Sequence, residues 1–385
     1  MKAANSSNEL IYVDNAATTR LDPDALTLMI ELQRNYFANP SSAYKAARPL
    51  KKFLREAREK IAACINAEPH EIIFTSGGTE SDNHAIKSVV LEHLNERPNI
   101  ITSAVEHKAV LNSCAAMENL GCTVTRLPVD KCGAVDPIKL STMILPQTKL
   151  ISIMLANNEV GTIQPIKSLV DIAHDAGKIF HTDAVQAIGH IPVDVKHLGV
   201  DMLSASAHKF NGPKGVGFLY VRDGLKVLPY IDGGAQEFSR RAGTENVPAI
   251  AAMALALENN CRDMEINADK VSACADVAID RLRLNGTDFI VNGGANRLPG
   301  HLSLSFKGGD GETIMHRLDL KNICVSTGSA CNSNRTEISH VLRAINVPDD
   351  YIRGTLRLTF GRENSLESAR IIGDRLAELL RAADE

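Results

Sequence analysis

Ser204-Ala205-Ser206-Ala207-His208-Lys209-Phe210-Asn211-Gly212-Pro213-Lys214-Gly215 follows directly on the apolar run Val200 to Leu203. Apolar residues giving way to small and hydroxyl residues, then a His-Lys pair, then a loop dense in Gly and Pro, describe a buried strand that delivers a lysine to a cleft. A lysine held there becomes a nucleophile, because desolvation and nearby cations both lower its pKa, and it can then form an imine with a carbonyl compound. Taken alone, the stretch fits a surface lysine beside a turn better. The rest of the chain decides between the two.

Working outward, Ile72-Ile73-Phe74-Thr75 is a compact strand that Ser76-Gly77-Gly78-Thr79-Glu80-Ser81 turns into a helix reaching about Leu94. Glycines at such a turn leave the first helical N–H groups open to an anion. Strand and helix patterns then alternate: Ile100 to Thr102, a helix after His107, Thr123 to Leu127, a helix from Asp136, Lys149 to Leu155, a helix over 166–176, and Lys178 to Thr182. That alternation predicts an α/β fold with a mostly parallel sheet, whose ligands bind at the carboxyl ends of the strands. Polar residues recur at those ends: Thr79, His107, Asn157-Asn158-Glu159, Asp183 with Gln186, and His208-Lys209. Each has a plain structural reading, Asp183 as a helix N-cap, His107 as a core histidine, Asn158 as a turn residue. Their recurrence at strand ends marks them as a set.

The 385 residues suit one large and one smaller domain, and the composition, 44% hydrophobic and 23% charged, is ordinary for a globular protein. A net charge of −4 does not describe a nucleic-acid-coating surface. Met1 to Glu9 lacks the apolar core of a signal peptide and no run is long enough to span a membrane, which predicts a cytoplasmic protein. The eight cysteines contain no C-x-x-C pair, so neither a disulfide framework nor a metal site is expected. From about Cys261 the pattern becomes a long helix to Leu284, strands at His301 to Phe306, Ile323 to Val325 and Leu356 to Phe360, and a last helix from Ser365 to Ala383. This predicts a separate α+β domain, with the boundary near 258–264.

A lysine, a carboxylate, an imidazole and a phosphate cradle at strand ends are together the requirements of pyridoxal 5'-phosphate. Asp14-Asn15-Ala16-Ala17-Thr18-Thr19, Thr75-Ser76-Gly77-Gly78-Thr79-Glu80-Ser81, Asn157-Asn158-Glu159-Val160-Gly161, His181-Thr182-Asp183-Ala184-Val185-Gln186, Ser206-Ala207-His208-Lys209, Arg240 to Asn246, Ser326-Thr327-Gly328-Ser329-Ala330-Cys331 and Leu356 to Arg362 resemble, in order, the motifs of NifS/IscS-type cysteine desulfurases. The resemblance runs from about Tyr12 to Arg362. It implies a fold-type I enzyme of the class V aminotransferase group, a homodimer with a large pyridoxal phosphate domain over 14–260. The smaller domain would be built from 1–13 and 261–385, with a mobile cysteine loop at about 326–338. By the same resemblance Lys209 would hold the cofactor and shuttle the substrate α-proton, Asp183 would pair with the pyridine nitrogen, Gln186 would bond the ring hydroxyl, and His107 would stack on the ring. Gly78, Thr79, Ser206 and His208 would hold the phosphate, joined by Thr244 of the other subunit. Arg357 and Asn158 would hold the substrate carboxylate, for which a guanidinium fork is suited.

Cys331 separates a desulfurase from its relatives, because only a desulfurase needs a protein thiol to take the substrate's sulfur. Gly328-Ser329-Ala330-Cys331-Asn332-Ser333-Asn334 is small and polar, which predicts an exposed loop able to hand a persulfide on. Cys324, inside Ile323-Cys324-Val325, is expected in the core. The implied reaction converts L-cysteine to L-alanine and passes sulfane sulfur through Cys331 to an acceptor protein, for iron–sulfur cluster assembly or for tRNA or DNA thio-modification. A selenocysteine lyase, or another β-lyase or aminotransferase of this fold, is the alternative. Tyr44 stands where the family often has histidine and Ala47 where it has glycine. The chain also ends soon after the last helix, with little of the extension that housekeeping members use to dock a scaffold, so a standard scaffold partner is less firmly expected than the activity, and specialised sulfur delivery stays open.

Overall fold

A computed structural model describes residues 10–327 and 338–384. The strands, in chain order, are β1 (Ile11–Tyr12), β2 (Ile72–Thr75), β3 (Asn99–Ser103), β4 (Thr123–Leu127), β5 (Thr148–Ser152), β6 (Ile179–Asp183), β7 (Met202–Ser206), β8 (Gly217–Val221), β9 (Phe289–Val291), β10 (His301–Phe306), β11 (Ile323–Cys324) and β12 (Thr355–Thr359). Seven of them form one sheet in the order β2-β8-β7-β6-β5-β3-β4. The pairs from β7 to β4 are parallel, while β8 is antiparallel to both β7 and β2. β2 therefore runs in the same direction as β7. The carboxyl ends of β2, β3, β5, β6 and β7 all open on one edge, where the strand-end residues were expected to meet.

Every residue of β2, β3, β7 and β8 is buried. A sheet covered on both faces asks for such continuous apolar strands. One covering layer is built on helix Gly78–Glu92, whose Ala85, Ile86 and Val89 pack with Ile73, Ile100 and Leu219. The opposite face holds Phe74, Ile101, Ile151, Phe180 and Phe218 against Leu169, Met253 and Leu257.

The second core is made by a three-stranded sheet, β12-β10-β9, all antiparallel, under helices Met264–Leu284 and Leu366–Asp384. Val13 joins this core, and β1 pairs in parallel with β11. The first strand of the chain is thereby built into elements more than three hundred residues later, with Asp14 bridged to Thr359.

Two elements escape the sequence pattern. Helix Val247–Arg262 lies ahead of the helix expected from Cys261, and the chain breaks at Asp263 before continuing as Met264–Leu284. Val247–Arg262 is apolar nearly all round, because it is packed against helices Pro23–Asn35 and Arg48–Cys64, so it lacks the one-sided stripe that marks an amphipathic helix. β8 is likewise an unbroken buried run, Gly217-Phe218-Leu219-Tyr220-Val221, just after the Gly- and Pro-rich loop. Periodicity gives no signal for it.

Candidate active site

Lys209 closes a short 3-10 turn, Ala207–Lys209, at the end of β7. Its Nζ donates to the carbonyls of Ala16 at 2.6 Å and Ala17 at 2.9 Å. The segment carrying those carbonyls is tied down from several sides. Thr19 donates through both N and Oγ1 to the carbonyl of His208, each at 2.9 Å, and Gln186 Nε2 donates to the Ala16 carbonyl at 3.0 Å. Thr18 Oγ1 lies 3.2 Å from His208 Nδ1. The motif Asp14 to Thr19 is thus the wall facing the lysine, and Gln186 reaches that same wall.

Asp183 ends β6 and is fully enclosed; its Oδ1 accepts from Val185 N at 2.9 Å. Burial pushes its carboxyl up from the ordinary aspartate range, and His107 and Lys209 pull it part of the way back. His107 caps helix Lys108–Glu118, its Nδ1 accepting from Ala109 N at 3.1 Å. That bond leaves Nε2 as the protonated ring nitrogen, and burial holds the imidazole below its ordinary pKa. Asp82, His107 and Asp183 each bring a polar atom within 4.8 Å of the others.

Asp82 belongs to a polar layer that sequence reasoning missed. Its Oδ1 is buried without a hydrogen-bond partner, and burial, with Asp183 alongside, drives the carboxyl well above its usual range. His181 sits between Ser152 Oγ and Ser204 Oγ, both at 2.9 Å, and burial lowers it to about 3. Glu106 accepts from Ser103 Oγ at 2.5 Å and from Met154 N, and burial raises it to about 8. The available signals were a histidine directly after the apolar pair Ile179-Phe180 of β6 and an aspartate on the sheet-facing side of helix Gly78–Glu92.

The phosphate-type cradle lies one strand pair away. Gly217 of β8 pairs with Thr75 of β2 on one side and with Ser206 of β7 on the other, so the turn after Thr75 and the end of β7 are neighbours. Helix Gly78–Glu92 starts at Gly77, φ +146°, with no side-chain cap. Thr79, Ser206, His208 and Lys214 line an open cleft of about 460 Å³ in front of it. A Cβ on Gly78 would fall 2.5 Å from Val185 Cγ2. The glycine thus lets the helix end sit against the residue that fixes Asp183.

Arg357 enters from β12. Its Nη1 donates to the carbonyl of Asn158 at 2.8 Å, its Nη2 pairs with Asp14 at 2.7 Å, and its Nε is buried without a partner. Asn158 meets the arginine through its backbone; the side chain that shapes this turn is that of Asn157, which accepts from Glu159 N and Val160 N and donates to Val105 O. Thr244 lines an adjoining cleft that shares Ser76 and Gly215 with the cradle. Cys331 lies outside the described residues. The chain leads toward it from Ser326, whose backbone pairs with that of Arg357, N to O, in both directions. Cys324, expected in the core, is only half-buried, because β11 is covered by β1 on one side and Cys324 pairs in register with Tyr12 near Asp14.

The family model of the class V aminotransferases matches residues 11–370. The chain belongs to the class V aminotransferase family. Within it the chain groups with the cysteine desulfurases. It is 47% identical over 371 residues to the cysteine desulfurase IscS of Dictyoglomus turgidum, covering 96% of this chain and 94% of that one. A solved NifS-like protein superposes with a TM-score of 0.91 at 36% identity, covering 97% of this chain and all of the other. A structure titled SspA in complex with cysteine matches with a TM-score of 0.82, also at 36% identity, over 91% of this chain and 99% of that one. The expected fold, a mostly parallel sheet of the fold-type I group, is the one observed.

Proposed function

We propose that this cysteine desulfurase uses pyridoxal phosphate at the sheet edge described above, takes L-cysteine as substrate, and passes its sulfur to Cys331. The observation that carries the reading is the convergence of Lys209, the Asp183–His107 pair and the uncapped helix end at Gly77 on one edge of the sheet. The donor set fits the cofactor. Lys209 would bind it covalently, Asp183 would meet its pyridine nitrogen, His107 would face the ring, and Gln186 its hydroxyl. Thr79, Ser206, His208 and the helix N-terminus would hold the phosphate, with Thr244 of a second subunit. When bound, the cofactor supplies an electron sink that makes the substrate α-proton acidic and the Cβ–S bond labile.

The protein's own groups do the rest. Arg357 binds the substrate carboxylate; the Asp14 pair and the Asn158 carbonyl hold two edges of its guanidinium and fix its direction. Lys209 Nζ moves the α-proton. Asp183, enclosed with His107, would favour a protonated pyridine nitrogen, because its anion is otherwise poorly satisfied there. Cys331 Sγ attacks the substrate sulfur: the Cβ–S bond breaks, an S–S bond forms, and the electron pair of the broken bond stays on carbon, which takes a proton to become L-alanine. The thiol proton is given up on attack. An acceptor protein then removes the terminal sulfur. No helix among the described residues is long and apolar enough to cross a membrane.

The deciding experiment measures sulfide and alanine from L-cysteine with a reductant, in the wild type and in Cys331→Ser. The wild type is expected to bind cofactor with its yellow absorbance and to make both products. The variant is expected to keep the absorbance and lose turnover. Full turnover in the variant would move the assignment to a lyase that releases sulfide directly.

A further inference from the structure

Two cysteines outside the candidate active site come together where helices Arg48–Cys64 and Val247–Arg262 end. Cys64 is the last residue of the first helix, and Cys261 is the penultimate residue of the second. One turn back along both helices, Lys60 Nζ pairs with Glu258 Oε2 and holds the two helix ends side by side. Both thiols are reduced and half-buried. They line one surface cleft of about 370 Å³, together with Ile65, Ile188, Pro192 and Leu257.

Cys64 and Cys261 lie at one cleft, close enough for each thiol to act on the other. Their mutual interaction holds Cys261 below the ordinary thiol range against the opposing effect of burial, and it pushes Cys64 up, with burial adding to the rise. Of the two, Cys261 is assigned the attacking role and Cys64 the resolving one. Two thiols at one reachable cleft, on helix ends held side by side, are the arrangement of an attacking and a resolving cysteine. The sulfur transfer proposed above uses neither residue.

We propose that Cys64 and Cys261 form a reversible dithiol–disulfide site that is oxidised by low-molecular-weight disulfides. The Cys261 thiolate attacks one sulfur of the small disulfide, whose S–S bond breaks, and one half leaves as a thiolate. Cys64 Sγ then attacks Cys261 Sγ in the mixed disulfide and expels the second half; the Cys64 proton passes to a released thiolate and solvent protonates the other. In sum the two protein sulfurs lose two electrons, and the small disulfide is reduced to two thiols. In a reducing compartment the pair rests as the dithiol. When oxidised, it ties two helix ends across a cleft whose other wall, residues 188–194, follows Gln186 closely in the chain.

The test treats the full-length protein with oxidised glutathione, alkylates it with iodoacetamide, and digests it with trypsin without reduction. Tryptic peptides 61–87 and 242–262 each contain a single cysteine, Cys64 and Cys261. They are expected to appear joined, two hydrogens lighter than their sum, and to separate after dithiothreitol. Cys64→Ser is expected to retain glutathione on Cys261, whereas Cys261→Ser leaves Cys64 to be alkylated. Separate alkylation of both cysteines in the treated wild type overturns the proposal, as does a joined pair that forms only in urea. Glutathione on Cys64 in Cys261→Ser as readily as on Cys261 in Cys64→Ser would overturn the division of roles.

Discussion

At the scale of single residues, Arg357 is the position where the observed geometry bears most directly on the proposed function. Its two terminal nitrogens are occupied by Asn158 O and Asp14, while Nε is enclosed without a partner. A lysine keeps the charge but not the fork. Arg357→Lys is expected to raise KM for L-cysteine by about 10- to 100-fold, the worth of one or two charged hydrogen bonds, with a smaller fall in kcat; steady-state alanine release measures both. His301 gives a second residue-scale outcome. Burial, with Arg357 adding, lowers it from the ordinary 6.5 to about 3, and its Nε2 lies 3.1 Å from the Glu159 carbonyl. As pH falls from about 6.5 toward 3, the unfolded chain takes a proton that the folded protein refuses. The stabilisation from neutral His301 is thus complete above that window and lost through it. The stability advantage of the wild type over His301→Gln should shrink by about 1.4 kcal/mol per pH unit within the window. Urea unfolding of both proteins at pH 7.5, 6 and 5 reads this directly, and a constant difference would contradict it.

At the scale of elements, the turn between β2 and helix Gly78–Glu92 connects the proposed phosphate cradle with Asp183, the residue proposed to meet the pyridine nitrogen. Gly78 stands against Val185, and Val185 N holds Asp183. Gly78→Ala would place a methyl group 2.5 Å from Val185 Cγ2, an overpacking of about 1–3 kcal/mol. It is expected to weaken pyridoxal phosphate binding by at least about tenfold, since 1.4 kcal/mol is a decade in affinity, while leaving the far-ultraviolet dichroism of the helix intact. Titration of the apoprotein followed by the cofactor's absorbance measures this. Unchanged affinity would mean that Val185 yields without disturbing Asp183.

At the scale of the whole molecule, Thr244 is the residue to test. In one chain it lines a cleft next to the cradle, sharing Ser76 and Gly215 with it. If it serves the cradle of a second subunit, subunits carrying Lys209→Ala and Thr244→Asp should complement each other. A mixed dimer would then hold one site with an intact Lys209 and an intact Thr244. Random reassociation makes about half the dimers mixed, so activity should return to about a quarter of the wild type. No recovery after mixing, with dimers present by sedimentation, would mean that Thr244 acts within its own chain.

Strand-end chemistry was legible because each strand delivers its residue locally: Lys209 after β7, Asp183 at β6, His107 after β3 and Thr79 after β2 are visible as polar breaks after apolar runs. The order and direction of those runs were enough to bring them to one edge, since parallel strands share their carboxyl ends. The family resemblance supplied Arg357, which no periodicity distinguishes. What the chain alone could not reveal are contacts made across long sequence separations. The Ala16 and Ala17 carbonyls reach Lys209, Asp14 reaches Arg357, and Asp82 lies within 4.8 Å of Asp183 and His107 only because helix and sheet pack face to face. The same holds for Cys64 and Cys261, unremarkable in sequence and adjacent only once two helices are laid together. Local pattern determined which polar residues stand at strand ends, because strand ends are local events; tertiary packing decided how far burial shifts each of them and which thiols come together, because desolvation and contact exist only after distant segments close on one another.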